Sequence, residues 1–153
     1  MKKLFVLFLT QVSVLVLFGQ ELTQVKIPFK NDSRKTEFEY YVRGNNPDWL
    51  KEGSYTWFFE NGKIKAKGFY RNNLLDGAFI NYYNDGSIRT EMNFVNGKLE
   101  GKHVSYYFGG GKEEEGHYKN GLKDGVWKYF GHSGTEQTEF IQGKTKEQFE
   151  SEQ

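Results

Sequence analysis

The sequence predicts an all-β protein, a meander of repeated antiparallel hairpins, on three observations. Apolar surface is supplied by rings: aromatic residues make up 18% of the 153-residue chain, although hydrophobic residues reach only 37%. Bends are left to glycine, with 18 glycines against two prolines. Glycine also recurs at a fixed interval: Gly53, Gly77, Gly101 and Gly125 stand 24 residues apart, as do Gly62, Gly86, Gly110 and Gly134. Flat rings pack well on a pleated surface and glycines punctuate strands, and a fixed period is the mark of a repeat architecture.

The first element is the leader MKKLFVLFLTQVSVLVLFGQ, in which Lys2 and Lys3 precede an apolar run from Leu4 to Phe18 and the small residue Gly19. Residues 1–19 therefore read as a secretory signal peptide. A permanent anchor is the alternative reading, but the run is short of the about 20 apolar residues a span needs. Cleavage near Gly19 or Gln20 removes two lysines and leaves 19 basic against 20 acidic residues. That balance gives no electrostatic footprint for nucleic acid. The chain has no cysteine, which excludes disulfides, thiolate metal sites and a lipid-bearing cysteine. The expected destination is periplasmic or extracellular, with no stable membrane span once the leader is cut.

Residues 20–37 follow as a linker or partial strand, with one apolar patch at Val25, Ile27 and Phe29. From 38 to 143 the repeat governs. Its register aligns Phe58 with Tyr82, Tyr106 and Phe130, and Phe59 with Tyr83 and Tyr107; Glu52, Asp76, Glu100 and Asp124 each precede a leading glycine. Each unit reads as two strands, such as GSYTWFF and IKAKGFY, joined at Asn61-Gly62 or Asp85-Gly86. Those dipeptides suit the positive φ angles of a two-residue type I′ turn.

With Asn61-Gly62 as that turn, Phe59 faces Ile64, Trp57 faces Ala66 and Tyr55 faces Gly68. One face then carries Tyr55, Trp57, Phe59, Ile64, Ala66 and Tyr70, and the other Thr56, Phe58, Lys65 and Lys67, because strand side chains alternate. In the second unit the first face takes Phe79, Tyr83, Ile88, Met92 and Phe94. In the third it thins to His103, Tyr107 and Tyr118, with Lys112 and Glu114 intruding; Trp127 continues it in the fourth. The eight periodic glycines are expected to be structural. Residues 144–153, KTKEQFESEQ without its leading Gly, read as a polar, frayed tail.

The pattern of leading Gly, aromatic strand, Gly turn, charged strand ending in Tyr or Phe, Asn-Gly and Asp/Glu-Gly resembles the variant MORN repeat (membrane occupation and recognition nexus). The resemblance spans about Gly53 to Gly143, with YYVRGNNPDWLKEG as a diverged half-repeat carrying an insertion around Pro47. It implies an elongated, single-layer antiparallel sheet of stacked hairpins. Bacterial proteins with this variant often carry the name of YwqK-type antitoxins, which implies a toxin-neutralising role as a narrower possibility. The last unit departs from the pattern: Gly143 comes two residues early and Gly131 replaces the strand aromatic, as suits a terminal capping repeat.

No catalytic set converges in the sequence. His103 and His117 fall on opposite faces, so they do not share a metal. His132 and Ser133 are neighbours in one tight turn without an acid to orient the ring. The GGGKEEEG segment lacks the Gly-Lys-Ser/Thr and following helix of a phosphate loop, and Glu113, Glu114 and Glu115 are set against calcium by strand alternation. Glu60, Asp85 and Glu139 are candidates for a glycan-hydrolysing rival, yet lie in turns or on exposed strands where no raised pKa is expected. No cofactor or metal is predicted.

What remains is surface. Phe58, Tyr82, Tyr106 and Phe130 form a ring row on the more charged face. They stack along the sheet, meet a partner, or do both; the partner is expected to be another protein, with a glycan as the alternative. The reading is an exported, non-enzymatic binding or scaffolding module of the cell envelope.

Overall fold

A computed structural model describes residues 13–17, 20–32, 35–43 and 50–152. The strands are β1 (Ser13–Leu17), β2 (Gln20–Pro28), β3 (Thr36–Arg43), β4 (Leu50–Phe58), β5 (Ile64–Arg71), β6 (Leu74–Leu75), β7 (Gly77–Tyr82), β8 (Ile88–Val95), β9 (Lys98–Leu99), β10 (Gly101–Tyr106), β11 (Lys112–Lys119), β12 (Leu122–Gly131), β13 (Gly134–Ile141) and β14 (Lys144–Thr145). One helical turn and a half, α1 (Lys146–Glu150), follows. They form a 14-stranded open sheet in sequence order, with the short β6 and β9 lying beside β5 and β8. Every pairing is antiparallel, and no second layer covers either face among the described residues.

The N-terminal expectations are partly revised. The stretch read as linker or partial strand contains β2, which pairs with β3 from Leu22↔Arg43 to Pro28↔Thr36. Of the leader, Ser13–Leu17 is described and pairs with β2 as β1; residues 1–12 and 18–19 lie outside the described residues. So does the insertion around Pro47, within residues 44–49.

The hairpin turns correct the expected register. Gly62 N–H donates to Phe59 O and Phe59 N–H to Lys63 O, at 2.9 and 2.8 Å. Gly62 has φ +80°, while Asn61 is not in the positive-φ region. This is a type I turn followed by a left-handed glycine, not a two-residue type I′ turn. Tyr83 to Ser87 repeats it, with Gly86 at φ +97°. The type I′ chemistry sits at the other end of each unit, where Asn72-Asn73, Asn96-Gly97, Asn120-Gly121 and Gln142-Gly143 all take positive φ.

A second correction follows from a bulge in the second strand of each of the first three units. The register slips between Trp57 and Phe58, so that Phe58, not Phe59, faces Ile64; it slips again at Asn81/Tyr82 and Ser105/Tyr106. One extra residue inverts the alternation beyond it. Ile64, Ile88 and Lys112 therefore join Phe58, Tyr82 and Tyr106 on the face opposite Trp57. The bulged Lys65 moves the other way, its Nζ 3.5 Å from the centre of the Trp57 ring.

The fourth unit shows what those extra residues were. It turns through only two residues between Gly131 and Gly134, and β12–β13 pair without a slip from Gly125↔Phe140 to Gly131↔Gly134. Dropping one turn residue and one bulge residue brings Gly143 two positions early. Four residues after Asn73, Gly97 and Gly121 stand the positive-φ glycines Gly77, Gly101 and Gly125 that open the next strand. Four after Gly143 stands Glu147, which does not adopt that conformation cheaply. The chain coils into α1 instead, with Thr145 and Gln148 forming a reciprocal capping box. The tail is thus partly ordered, as β14 and a capped turn.

Among the described residues the buried apolar set is small: Val25, Val42, Ala66, Val104 and Trp127. Stability is built unit by unit. Where a ring crosses the sheet it lands on a glycine from the preceding unit. The Phe79 ring packs on Gly68 and the Trp127 indole on Gly116, so closely that a Cβ there would lie 2.4 and 2.3 Å from ring carbons. The ring over Gly68 is thus Phe79, while Tyr55 is only its backbone partner.

Candidate functional site

Two surfaces can meet a ligand, one on each face. The first is the ring row. Cross-strand pairing sets Phe58 against Ile64, Tyr82 against Ile88, Tyr106 against Lys112 and Phe130 against Thr135. Rings of successive units lie two strands apart, about 9.5 Å, with an isoleucine or lysine between them. The row is a mixed ladder, and ring-on-ring stacking is not how it is built. All four rings are half-buried, and Ile88 is exposed. Strict alternation from a two-residue turn places Ile64 and Ile88 on the other face; the two-residue shortening of the fourth unit is the signal that betrays the bulges.

The row changes character along its length. Around Phe58 and Tyr82 the rings are laddered with Ile64 and Ile88, and Lys63 and Lys67 stand beside them. Around Tyr106 it is charged: the Tyr106 hydroxyl donates to Glu91 Oε1 at 3.4 Å, and Lys112 Nζ lies 2.7 Å from Glu115 Oε2. Lys128 approaches Glu115 at 3.9 Å. The bond from Lys112 holds the Glu115 carboxyl below its ordinary range and raises the Lys112 ammonium. Lys112 does not intrude on the Trp127 face, because the bulge at Ser105/Tyr106 sends it to the row.

The other face holds Tyr55, Trp57, Phe59, Phe79, Tyr83, Tyr107 and Trp127, and these tie units together. Phe38 stacks on Trp57 at 5.4 Å, and Tyr55 meets Tyr70 edge-on at 5.5 Å. Burial pushes the Tyr55 hydroxyl up to about 12. The Tyr83 and Tyr107 hydroxyls donate to the carbonyls of Tyr106 and Phe130, 23 residues on, at 2.7 and 2.9 Å. The eight periodic glycines all take positive φ, from +71° at Gly125 to +133° at Gly134. The acids ahead of the leading glycines cap the type I′ turns: Asn72, Asn96 and Asn120 N–H groups donate to Glu52, Asp76 and Glu100 at 2.9, 3.4 and 2.7 Å.

On this face the third and fourth hairpins enclose the second surface, an open depression of about 440 Å³ lined by Tyr107, Glu113, Glu114, Tyr129, Ser133 and Glu136 among others. The bulge puts Glu113 beside Glu114, so the alternation expected to separate them fails; Glu115 alone turns away. Glu113 accepts from Ser105 Oγ at 3.0 Å, and Glu114 bonds His103 Nε2 at 3.1 Å and pairs with Lys123 at 3.5 Å. His103 is buried, stacked on Trp127 at 5.5 Å, and its Nδ1 has no hydrogen-bond partner among the described residues. Desolvation lowers its pKa despite Glu114. A neutral ring with its proton on Nε2 satisfies both observations.

Catalytic geometry is not assembled by these residues. His117 is exposed. His132 and Ser133 occupy the two-residue turn, with Ser133 on the rim of the depression. Asp85 accepts from Ser87 N and Oγ, which hold it below its ordinary range, the reverse of what a general acid needs. Glu60 accepts from Asn31 and Glu139 pairs with Lys146. Among the described residues no three His, Asp or Glu side chains converge to hold a metal ion.

Among the described residues, an open meander of hairpin units with both faces uncovered defines a β-repeat protein whose surfaces are available for binding. The MORN repeat variant model matches residues 51–72 and 75–96, two adjacent repeats offset by 24 residues. The glycine columns continue the same period to Gly125. No curated protein matches the chain. MORN repeats are in general protein- or membrane-binding modules, and no helix among the described residues is long and apolar enough to cross a membrane.

Proposed function

We infer that this protein is an exported, non-enzymatic scaffold that binds another protein through the ring row of Phe58, Tyr82, Tyr106 and Phe130. The observation that carries the reading is the continuity of that row: each of four hairpins contributes one ring, alternating with Ile64, Ile88, Lys112 and Thr135, on a face that no described element covers. Aromatic residues set among charges favour a protein partner. The leader supports export. Its removal would leave β2 as the first edge, since Ser13–Leu17 would go with it. A toxin-neutralising role is one form of the same reading, decided by the partner's identity.

The test is capture from the envelope fraction of the native host with a tagged chain, followed by mass spectrometry of what co-purifies. One stoichiometric protein is expected, and the Tyr82→Ser/Tyr106→Ser double variant, checked by circular dichroism, should lose it. Undiminished capture by that variant would move the contact off the row. Cell-wall glycan turnover by the purified chain, abolished by Glu139→Gln, would replace the reading with an enzymatic one.

A further inference from the structure

Beyond β13 the sheet continues only as the two-residue β14, which leaves most of the outer edge of β13 open among the described residues. In the earlier units the outer side of each second strand is paired with the next first strand, at Ala66↔Asn81 and Lys67↔Ile80, at Glu91↔Val104 and Thr90↔Ser105, and at Glu114↔Tyr129 and Glu115↔Lys128. The corresponding positions of β13 are Glu136 and Gln137. Among the described residues the outer side of β13 is paired only at Phe140↔Thr145 and Ile141↔Lys144, by β14. Ile141 and Lys144 flank the type I′ turn and exchange bonds across it, so alternation turns the N–H and C=O groups of Thr135, Gln137 and Glu139 outward.

This edge lacks three of the devices that blunt edges, although α1 lies against β13 and Lys146 pairs with Glu139. A bulge, a proline or a lysine at the rim discourages strand addition. β13 is the one second strand of the four hairpins without a register slip, and its sequence GTEQTEFI contains neither proline nor lysine. We propose that the outer edge of β13 receives an extended, basic segment of a partner protein as an added antiparallel strand. Main-chain bonds to Thr135, Gln137 and Glu139 would supply attachment, and alternate side chains of the segment would supply selectivity.

Charge decides the partner's chemistry. Glu136 holds the place in β13 that Glu114 holds in β11, and Glu114 draws Lys123 of the following strand to 3.5 Å. Glu136 is exposed, without an ion-pair partner among the described residues, and forms part of the wall of the acidic depression with Glu113 and Glu114. A lysine or arginine on the added strand would take the place of Lys123. A second copy of this chain is the poorer occupant, because antiparallel pairing of two β13 strands about a twofold axis at Gln137 sets the Glu136 carboxylates of the two copies diagonally next to each other on one face. The site adjoins the end of the ring row at Phe130 and Thr135, but it uses main-chain groups and the acidic face and does not depend on the rings.

The probe is a fluorescein-labelled octapeptide alternating lysine and valine, titrated with the full chain and followed by anisotropy. Saturable binding is expected, weakened by about tenfold or more in Gln137→Pro, which removes an outward N–H that the fold does not use. Proline is tolerated where an edge N–H faces solvent, and circular dichroism checks that the variant is folded. Should Gln137→Pro unfold, the same peptide N-methylated at alternate residues must lose binding to the unaltered chain. Glu136→Gln should weaken the lysine peptide and leave a threonine–valine peptide unaffected. Equal binding of a glutamate–valine peptide, equal binding of the N-methylated peptide, or no binding at all would overturn the proposal. So would sedimentation showing a dimer that Gln137→Pro dissolves, which would make a second copy the occupant.

Discussion

Placing a methyl group on Gly116 tests how the units are locked together. An added Cβ would lie 2.3, 2.4 and 2.6 Å from Cδ2, Cε2 and Cγ of Trp127. These are the inner atoms of the indole, so the whole ring must move by about 1 Å to restore ordinary carbon contact near 3.5 Å. It has nowhere to go. Trp127 is fully buried, stacked on His103, edge-on to Tyr118 at 5.0 Å, and covered by Lys123 Nζ at 3.8 Å from the ring centre. Its Nε1 donates to His117 O at 3.1 Å. Overpacking of this kind costs about 1–3 kcal/mol and a lost hydrogen bond about 1 kcal/mol more, so Gly116→Ala should destabilise by about 2–4 kcal/mol. Urea unfolding read by Trp fluorescence measures it. Gly111→Ala is the control, because nothing lies within 4 Å of its would-be Cβ and its φ is ordinary; there the midpoint should hold or rise slightly. In a Trp127→Leu background the Gly116→Ala penalty should fall by about half or more. Equal midpoints for Gly116→Ala and Gly111→Ala, or an undiminished penalty without the indole, would refute the reasoning.

Two further outcomes follow from the same geometry. Glu100→Ala should cost about 1 kcal/mol in thermal unfolding, by leaving the Asn120 N–H without the carboxylate it meets at 2.7 Å. Burial holds the folded His103 pKa below its ordinary 6.5, so the unfolded chain binds more protons between those two values. Stability is therefore full above about pH 6.5 and declines as pH falls toward the folded value, and His103→Phe should flatten that part of the curve. A decline of the same slope in the variant would assign the titration to another group.

Much of the architecture is legible in the chain itself, because a repeat writes the same local instructions several times. The 24-residue glycine columns mark positions where the backbone takes positive φ, and each of the eight does so. The aromatic runs at GSYTWFF and GAFINYY lie in or run into strands that pair in a meander. The acids before the leading glycines were visible as a column, although their task, capping an Asn amide 20 residues later, was not. Even the end of the sheet can be read locally: Glu147 stands where the next leading glycine would be needed.

The assignment of side chains to faces was decided only by tertiary structure. Strict alternation assumes that neighbouring strands advance residue for residue, and a bulge is a property of two strands fitted together, set by their twist and hydrogen bonding. One extra residue in each of three hairpins moves Ile64, Ile88 and Lys112 to the ring row and brings Lys65 over Trp57 and Glu113 beside Ser105. The packing of Phe79 on Gly68 and Trp127 on Gly116 is likewise an inter-unit fact, since ring and glycine lie on different hairpins and meet only when those hairpins stack. The sequence determined which residues turn and which extend; the register between strands determined which face each side chain serves.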